Sequence, residues 1–292
     1  MESKRLSKAP EFRRPTPQAS IGLFRPCFAV LYLAASVFAG NAAAQVAPGP
    51  LAYWLMDEQA GIEFADDYYG NNDLLLSVGA QWQEADGFVD GALSLTGGDY
   101  ASILDGDLDA GMPGRSGTVT EDFTISAWIH LNDSALGDRN PILTKQGAPE
   151  RGFMLSAGTS DGSGRLYFEV FDNNDQGVSA TSTRSLSEQG WQHVAVIYDH
   201  DPTQDPTNDP ALITLCVDGS CDPPVTSVGP LRPNSQPLEV GRYRWNSYER
   251  YFDGLLDEVQ VFDVALTPTQ ISDIVAEAEL QAGNTPPVAV LD

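Results

Sequence analysis

Short segments of alternating apolar and polar residues dominate this chain up to residue 267, and helical periodicity is nearly absent there. Residues 123–131 show the alternation best, because every second residue from Phe123 to Leu131 is apolar. Clusters of Gly, Asp, Asn and Pro separate such segments, a pattern that predicts β-strands joined by turns. The predicted strands are 51–56, 73–78, 92–95, 100–103, 123–131, 141–145, 152–157, 165–171, 177–181, 191–199, 211–217, 237–241 and 252–262. They are too many for one immunoglobulin sandwich and favour an all-β, two-sheet antiparallel jelly roll with a short C-terminal helix.

The N-terminal segment has the features of a secretory signal. Six Lys and Arg residues precede an apolar run at 27–40, and small residues at 42–44 form a cleavage site. The run is too short for a spanning helix, and the alternative is a membrane anchor. We therefore expect residues 1–44 to be a signal peptide, and the protein to be secreted, periplasmic or held at the cell surface.

The charge of the chain is strongly acidic. The whole chain has a formal net charge of −25, and removal of residues 1–44 would take away six of the 16 basic residues but two of the 41 acidic ones. The remaining 248 residues would carry −29, with Lys145 as their one lysine. Such a surface repels nucleic acid and anionic membranes, so we expect neither partner.

Two cysteines remain after the signal. Cys216 and Cys221 bracket an Asp-Gly pair, which is a strong hairpin-turn signal. In an exported protein we expect them to form a disulfide, and the alternative is a pair of free thiols.

Residues 251–271 read as a strand, a polar turn and a helix start. Thr267 followed by Pro268 has the order of an N-cap and a first-turn proline. Strict alternation would place Asp257 on one face with Leu255, Val259 and Val261, so this carboxylate needs a metal, an Arg or several N–H donors.

Two segments depart from the strand pattern. Residues 201–210 repeat Asp-Pro and form either a solvated loop or, less well supported by their spacing, a calcium-binding loop. Residues 277–292 end in a proline-containing tail and are predicted to be a linker, resembling the start of an Ig-like or cadherin-like repeat.

Seven blocks in order make the chain resemble the LamG-like jelly-roll domains of the concanavalin A-like lectin/glucanase superfamily. They span about residues 51–276, which we take as the domain, and are YWLMDEQAG (53–61), DGFVDGALSLTGGDYASI (86–103), EDFTISAWIHL (121–131), GWQHVAVIYD (190–199), ITLCVDG (213–219), LEVGR (238–242) and FDGLLDEVQVFDVALTPTQI (252–271). The resemblance implies a curved sandwich of two antiparallel sheets. It does not imply one activity, because its members include lectins, adhesion modules and glycan-cleaving enzymes.

The resemblance also implies a structural calcium ion. Its matching positions are Asp57, the loop of Gly98 and Asp99, and Asp257. Calcium takes carboxylate and carbonyl oxygens together, which would satisfy Asp257. The alternative is that Asp257 accepts backbone N–H groups or pairs with an Arg.

The loop at 241–252 is the best candidate for ligand binding. Aromatic faces stack on sugar rings, and Arg forks bind carboxylate or sulfate groups. The alternative is that its arginines offset local acidity and its aromatics pack the rim. The candidate residues are Arg242, Tyr243, Arg244, Trp245, Tyr248 and Arg250.

No catalytic residues are assigned. The sequence lacks the closely spaced acidic run of the glucanase relatives, and strand alternation places Glu169 and Asp172 on opposite faces. We therefore expect a secreted, non-catalytic binding or adhesion module with a polysaccharide or glycoconjugate as its partner. The alternatives are a glycan lyase or hydrolase of the same superfamily, or a spacer within a longer surface protein.

Overall fold

The computed structural model describes residues 47–120, 122–132, 135–200 and 211–284. These residues form β-strands, two short 3₁₀ turns (Asp105–Asp107 and Ala135–Gly137) and one α-helix, α1 (Pro268–Asn284). The strands are β1 (Ala52–Trp54), β2 (Phe64–Ala65), β3 (Leu74–Leu76), β4 (Gln81–Gln83), β5 (Ala92–Leu95), β6 (Ala101–Ile103), β7 (Phe123–Leu131), β8 (Asn140–Gly147), β9 (Glu150–Ala157), β10 (Arg165–Phe171), β11 (Gly177–Ser185), β12 (Gln192–Asp199), β13 (Leu212–Val217), β14 (Ser220–Cys221), β15 (Val225–Thr226), β16 (Leu238–Val240), β17 (Arg242–Trp245), β18 (Tyr248–Tyr251) and β19 (Gly254–Phe262).

Two large antiparallel sheets confirm the predicted jelly roll. The first sheet has the order β14-β13-β12-β7-β19-β5-β4, with β1 on β19 and β15 on β13. The second has the order β11-β10-β9-β8-β16-β6-β3-β2, and β17 and β18 form a separate hairpin. Strand β12, predicted to be central, lies inside the first sheet between β7 and β13.

The core lies between the inner faces of the two sheets. Phe123 of the first sheet lies 5.5 Å from Phe153 and 6.2 Å from Phe168 of the second, measured between ring centroids. Trp54 is also buried there, and its indole N–H donates to the Asn72 carbonyl at 2.8 Å. Alternation therefore decides which side chain of each strand enters the core.

Helix α1 covers part of the outer face of the first sheet. Ile271 packs in a buried cluster with Ile197, and Val275 packs in a cluster with Trp128. The predicted N-cap is confirmed: the Gln270 amide donates to Thr267 Oγ1 at 3.3 Å, and the Thr267 amide donates to Gln270 Oε1 at 2.8 Å, which is a capping box.

The first part of the segment predicted as a linker, residues 277–292, lies in helix α1. Helix α1 continues to Asn284, because Ala278 is buried beside Trp128 and Ala282 packs against the same cluster. These apolar contacts extend the helix by two turns beyond the predicted end of the domain.

A β-bulge corrects the predicted face of Asp257. Glu258 has a φ of +51°, and between Asp257 and Gln260 the pairing advances three residues on β19 but two on β7. Leu256, Val259 and Val261 therefore enter the core, while Asp257 pairs in register with Trp128 on the outer face. Strict alternation fails here because the extra residue moves every later side chain of β19 to the opposite face of the sheet.

The expected disulfide is present. Cys216 and Cys221 are joined at an S–S distance of 1.98 Å and pair across the β13–β14 hairpin. Ser272 of α1 donates to the Gly219 carbonyl in the intervening turn at 3.0 Å, so the cross-linked hairpin also contacts the helix.

Lys145 is fully buried and ties two loops to the second sheet. Its ammonium lies 2.7 Å from Asp105 Oδ1 and 2.7 Å from the Gln236 carbonyl, and it also donates to the Asn234 carbonyl at 3.1 Å. Burial alone would raise the pKa of Asp105, but the bonds from Lys145 and Ser116 outweigh it and lower that pKa. The paired charges satisfy each other where water does not reach.

Three predicted segments lie outside the described residues: the signal peptide at 1–44, the Asp-Pro insert at 201–210 and the tail at 285–292. Within the described ranges, no helix is both long enough and apolar enough to cross a membrane.

His193 makes the fold sensitive to acid. It is buried against Trp128, and neither ring nitrogen has a hydrogen-bond partner among the described residues. Burial lowers its pKa from 6.5 to about 3, so folding disfavours the charged ring. We expect the unfolding free energy to decrease as the pH falls from about 6.5 to about 3, by at most about 1.4 kcal/mol per pH unit.

His193→Leu should remove most of that decrease, as measured by urea unfolding at pH 7 and pH 4.5. His130→Leu, at a half-buried position on the neighbouring strand, is the matched control. An equal loss of stability in His193→Leu and in the unmodified protein would contradict this role.

Candidate functional site

The segment predicted as a binding loop is a hairpin, β17–β18, that folds over the outer face of the second sheet. Gly241 has a φ of +81°, which turns the chain out of β16, and the Phe252 amide donates to the Gly241 carbonyl at 2.8 Å, closing the base. Thr144 Oγ1 of β8 donates to the Arg242 carbonyl at 2.7 Å. Regular alternation of side chains across four paired positions is the signal that distinguishes this hairpin from a loop.

Arg242 anchors the hairpin rather than presenting its charge. Its guanidinium pairs with Glu239, which is buried on β16, and its central carbon lies 3.3 Å from the centroid of the Tyr100 ring. An Arg held by a carboxylate and an aromatic ring on the same sheet has little left to offer a ligand.

Arg250 and Tyr248 lie together on strand β18. Arg250 Nε lies 2.7 Å from Asp138 Oδ2, and the guanidinium lies 4.0 Å from the Tyr248 ring centroid. Tyr248 is 46% exposed, and its ring meets Tyr243 edge to face at 6.3 Å. The two tyrosines therefore form a partly exposed aromatic edge.

Trp245 and Arg244 complete the predicted set. Arg151 of β9 lies 4.8 Å from the Trp245 ring and 4.6 Å from the Phe171 ring, so it lies over both aromatic rings. In the described part of the chain, the Arg244 guanidinium forms no hydrogen bond or ion pair. Of the predicted arginines, Arg244 is therefore the one best placed to meet a ligand.

A polar network on β8 and β10 lies beside the hairpin and was not assigned from the sequence. Glu169 accepts hydrogen bonds from Gln146 Nε2 and from the Tyr167 hydroxyl, each at 2.8 Å. Arg139 donates to the Tyr167 hydroxyl at 3.1 Å and lies 3.7 Å from Glu169 Oε2. The predicted strand at 165–171 could have revealed part of it, since alternation places Tyr167 and Glu169 on one face.

The Tyr167 hydroxyl of this network is held as a hydrogen-bond donor. Burial, and then the charge of Glu169, raises the pKa of Tyr167 to about 12, so its hydroxyl stays protonated and donates. Asp172 does not join Glu169: it accepts the Asn174 and Gln176 amides, each at 2.8 Å, in the turn after β10. Glu169 and Asp172 therefore accept hydrogen bonds from separate sets of donors.

The predicted calcium residues fall into two separate groups. Asp57 and Asp257 share one turn, since Asp57 Oδ1 accepts the Gly91 amide at 2.7 Å and Asp257 Oδ2 accepts the Val89 amide at 2.9 Å. This turn precedes β5, in which Leu93 pairs with Leu256 of β19.

Gly98 and Asp99 lie on the turn after β5, at the other end of that strand. Asp99 Oδ1 accepts the Ser77 hydroxyl at 3.0 Å, and the nearest atoms to a Cβ added at Gly98 belong to Tyr251. The four residues therefore do not form one set. Within the described ranges, no group of three or more His, Cys, Asp and Glu side chains is arranged to hold a metal ion.

Asp257 and its neighbour Glu258 are buried carboxyls next to this turn. Burial, and then the charge of Glu258, raises the pKa of Asp257 to about 9, and burial raises that of Glu258 to about 7. Asp257 also accepts the Glu258 amide at 2.7 Å, which is the alternative of backbone N–H donors. Calcium at Asp57 and Asp257 stays a prediction, and the ion would supply the positive charge that the buried carboxyls lack.

The family is established by a sequence match. A model of the laminin G type, described as concanavalin A-like lectin/glucanases superfamily, matches residues 95–272. The chain therefore belongs to this superfamily, as its sandwich and the order of its sequence blocks predict. A search of curated proteins gave no match.

Solved structures share the fold at low sequence identity. Domain 4 of AbnA, a GH43 extracellular arabinanase from Geobacillus stearothermophilus solved with arabinotriose, is 16% identical with a TM-score of 0.54, over 77% of this chain and 97% of that one. The botulinum neurotoxin serotype D binding domain is 13% identical with a TM-score of 0.55, over 78% of this chain and 51% of that one. A Trypanosoma rangeli sialidase mutant with trans-sialidase activity is 16% identical with a TM-score of 0.55, over 80% and 33%. At these identities the likeness shows the jelly-roll fold alone.

Calcium binding is tested by thermal unfolding. We expect added calcium to raise the Tm and a chelator to lower it, with about 2.7 kcal/mol of stabilisation when free calcium is about 100 times its Kd. Asp257→Asn should abolish this response, whereas Asp99→Asn, on the other turn, should keep it. A Tm unchanged by calcium and by chelator would remove calcium from the account.

Proposed function

We propose that this protein is an exported, non-catalytic carbohydrate-binding module. The ligand lies along the outer face of the second sheet, at the tip of the hairpin, where Trp245 pairs with Tyr248 and Arg244 directly precedes Trp245 in the chain. The observation that carries the proposal is that Tyr243 of this hairpin lies close enough to Glu169, Arg139 and Arg151 to be affected by their charges. Export rests on the signal-like segment at 1–44.

The chemistry of this surface suits a sugar. The ring faces of the hairpin offer apolar area for the C–H faces of a pyranose or furanose, while Gln146, Tyr167 and Glu169 are polar groups already fixed by one another. Because these side chains are already ordered, little conformational entropy is lost when a ligand binds. The arabinotriose-bound domain of AbnA is an instance of this fold holding a glycan, which makes oligosaccharides the first ligands to try.

An acidic glycan is the favoured subclass. Arg244 and Arg151 lie on or beside the hairpin, in a protein whose net charge is otherwise strongly negative. Arg forks bind carboxylate and sulfate groups with two hydrogen bonds, so uronic or sulfated sugars would gain charge-assisted contacts here.

A glycan lyase or hydrolase of the same superfamily is the second candidate, because the network brings a carboxylate, a phenol and a guanidinium together. Glu169 accepts from both Gln146 and Tyr167, and these bonds hold it as an acceptor rather than as a free acid. Assays for reducing ends and for unsaturated products on mixed polysaccharides would separate the two, and turnover lost in Glu169→Gln would establish the enzyme.

The binding role is tested by calorimetry against a panel of uronic and sulfated oligosaccharides. We expect Arg244→Ala and Trp245→Ala each to weaken binding by about tenfold, since a charge-assisted hydrogen bond or a stacked ring contributes on the order of 1–2 kcal/mol. Affinity should also fall as salt is added, because an exposed charge contact is screened.

Arg184→Ala is the matched control, because it removes an Arg charge from β11 at a position 49% exposed. It should leave binding unchanged. Equal affinity of the unmodified protein, Arg244→Ala and Trp245→Ala for every bound glycan would place the site elsewhere, and no binding by any member of the panel would favour a spacer or protein-contact module.

A further inference from the structure

Three tyrosines form a compact cluster, the tyrosine platform, at the β1 edge of the first sheet. Tyr53 and Tyr69 are nearly parallel, with ring centroids 6.1 Å apart and an interplanar angle of 15°. Tyr68 meets Tyr69 edge to face at 5.2 Å and Tyr53 at 6.3 Å. Tyr68 and Tyr69 are 57% and 59% exposed, so the platform presents two large rings to solvent.

A buried carboxylate fixes the chain that carries the two exposed rings. Asp67 is 8% exposed, and its Oδ1 accepts the amides of Tyr53 at 3.0 Å and Tyr69 at 3.1 Å. Its Oδ2 accepts Asn72 Nδ2 at 2.7 Å. The backbone of Asp67 also forms an antiparallel β-bridge with the backbone of Trp54, a core residue. The turn that carries both exposed rings is therefore attached to the sheet.

Tyr53 supplies the third ring of the platform, and this ring is anchored to the first sheet. It points away from the core, because its neighbours Ala52 and Trp54 are buried in the sandwich, and its hydroxyl donates to Glu258 on the outer face of β19. Burial, and then the charge of Glu258, raises the pKa of this hydroxyl, so it remains a donor. The ring position is thus set by the sheet and does not depend on a ligand.

Rigid, exposed aromatic rings grouped in this way are a feature of binding surfaces. Isolated exposed apolar groups are ordinary, but a cluster of them is not, and aromatic rings cost little conformational entropy when they meet a partner. Each tyrosine adds a hydroxyl to an apolar face, which matches the mixed polar and apolar surface of a sugar.

The negative charge around the tyrosine platform favours uncharged sugars over anionic ones. No Lys or Arg occurs between residues 45 and 114, whereas carboxylates of Asp67 and Glu258 hold the platform and Asp109 bonds to Asn72. An anionic glycan would be repelled from this region. Carboxylate oxygens accept hydrogen bonds, which sugar hydroxyls donate.

We propose that the tyrosine platform is a second carbohydrate site, selective for uncharged oligosaccharides. It lies on the outer face of the first sheet and uses no residue of the β17–β18 hairpin. The protein would therefore hold neutral and acidic sugars at different places. The inference does not rest on the hairpin site, because its rings, anchors and charge are separate.

The test uses the exported domain with neutral probes, arabinotriose and cellohexaose, and with an anionic heparin hexasaccharide. Binding is followed by calorimetry and by amide chemical shifts at residues 67–72. We expect Tyr68→Ala and Tyr69→Ala each to weaken neutral binding by about fivefold. Tyr69→Phe, which keeps the ring, should retain binding, and Val78→Ala, at a fully exposed position, should leave it unchanged.

The outcomes separate this site from the hairpin. Neutral binding that survives Arg244→Ala and Trp245→Ala but not Tyr69→Ala supports the platform, even where the hairpin site fails its own test. The proposal is overturned by no binding of either neutral probe, by neutral binding unchanged in both alanine variants, or by preference for the heparin fragment at this site. Binding of tetramethylammonium in place of the sugars would also overturn it, since that result would define a cation cage.

Discussion

Covering the outer faces of the two sheets is the constraint on which the rest of this structure depends. A sandwich buries its inner faces by itself, but each sheet also has an outer face that water reaches. Helix α1 packs on one of these faces through Ile271 and Val275, and the β17–β18 hairpin folds over part of the other. One candidate site includes the hairpin itself, and the other lies on a part of the first sheet at β1.

Two single backbone departures from regular strands shape these outer faces. Gly241 turns the hairpin out of β16 with a φ of +81°, and Glu258 turns β19 with a φ of +51°. The first places an aromatic and Arg-bearing hairpin over the second sheet. The second moves Asp257 from the core side to the outer side, where it meets the turn before β5. β-Bulges such as the one at Glu258 are common beside functional sites.

Charge is divided between the two candidate sites. The arginines begin at Arg115 once the signal-like segment is set aside, and three of them lie on the hairpin, while the tyrosine platform occupies a stretch with acidic groups and no basic ones. If both proposals hold, the two surfaces would favour sugars of different charge.

Much of the fold follows from the sequence, and the site only in part. The alternation of residues 123–131, the Thr267–Pro268 cap and the Asp-Gly turn between the cysteines each reflect interactions of near neighbours, and each is present. The bulge at Glu258 and the Arg139–Glu169 network depend on strand register and on residues far apart in the chain, which periodicity does not contain. The loop predicted at 241–252 is a hairpin because its partner strands are adjacent, a feature that short-range alternation could have revealed.

The most direct measurement of the central claim is a crystal structure of residues 45–292 with an acidic oligosaccharide that calorimetry shows to bind. The account predicts sugar density on the outer face of the second sheet, with a ring against Trp245 or Tyr248 and an anionic group within hydrogen-bond distance of Arg244. Density for the sugar only on another surface, with the hairpin unoccupied, would contradict it.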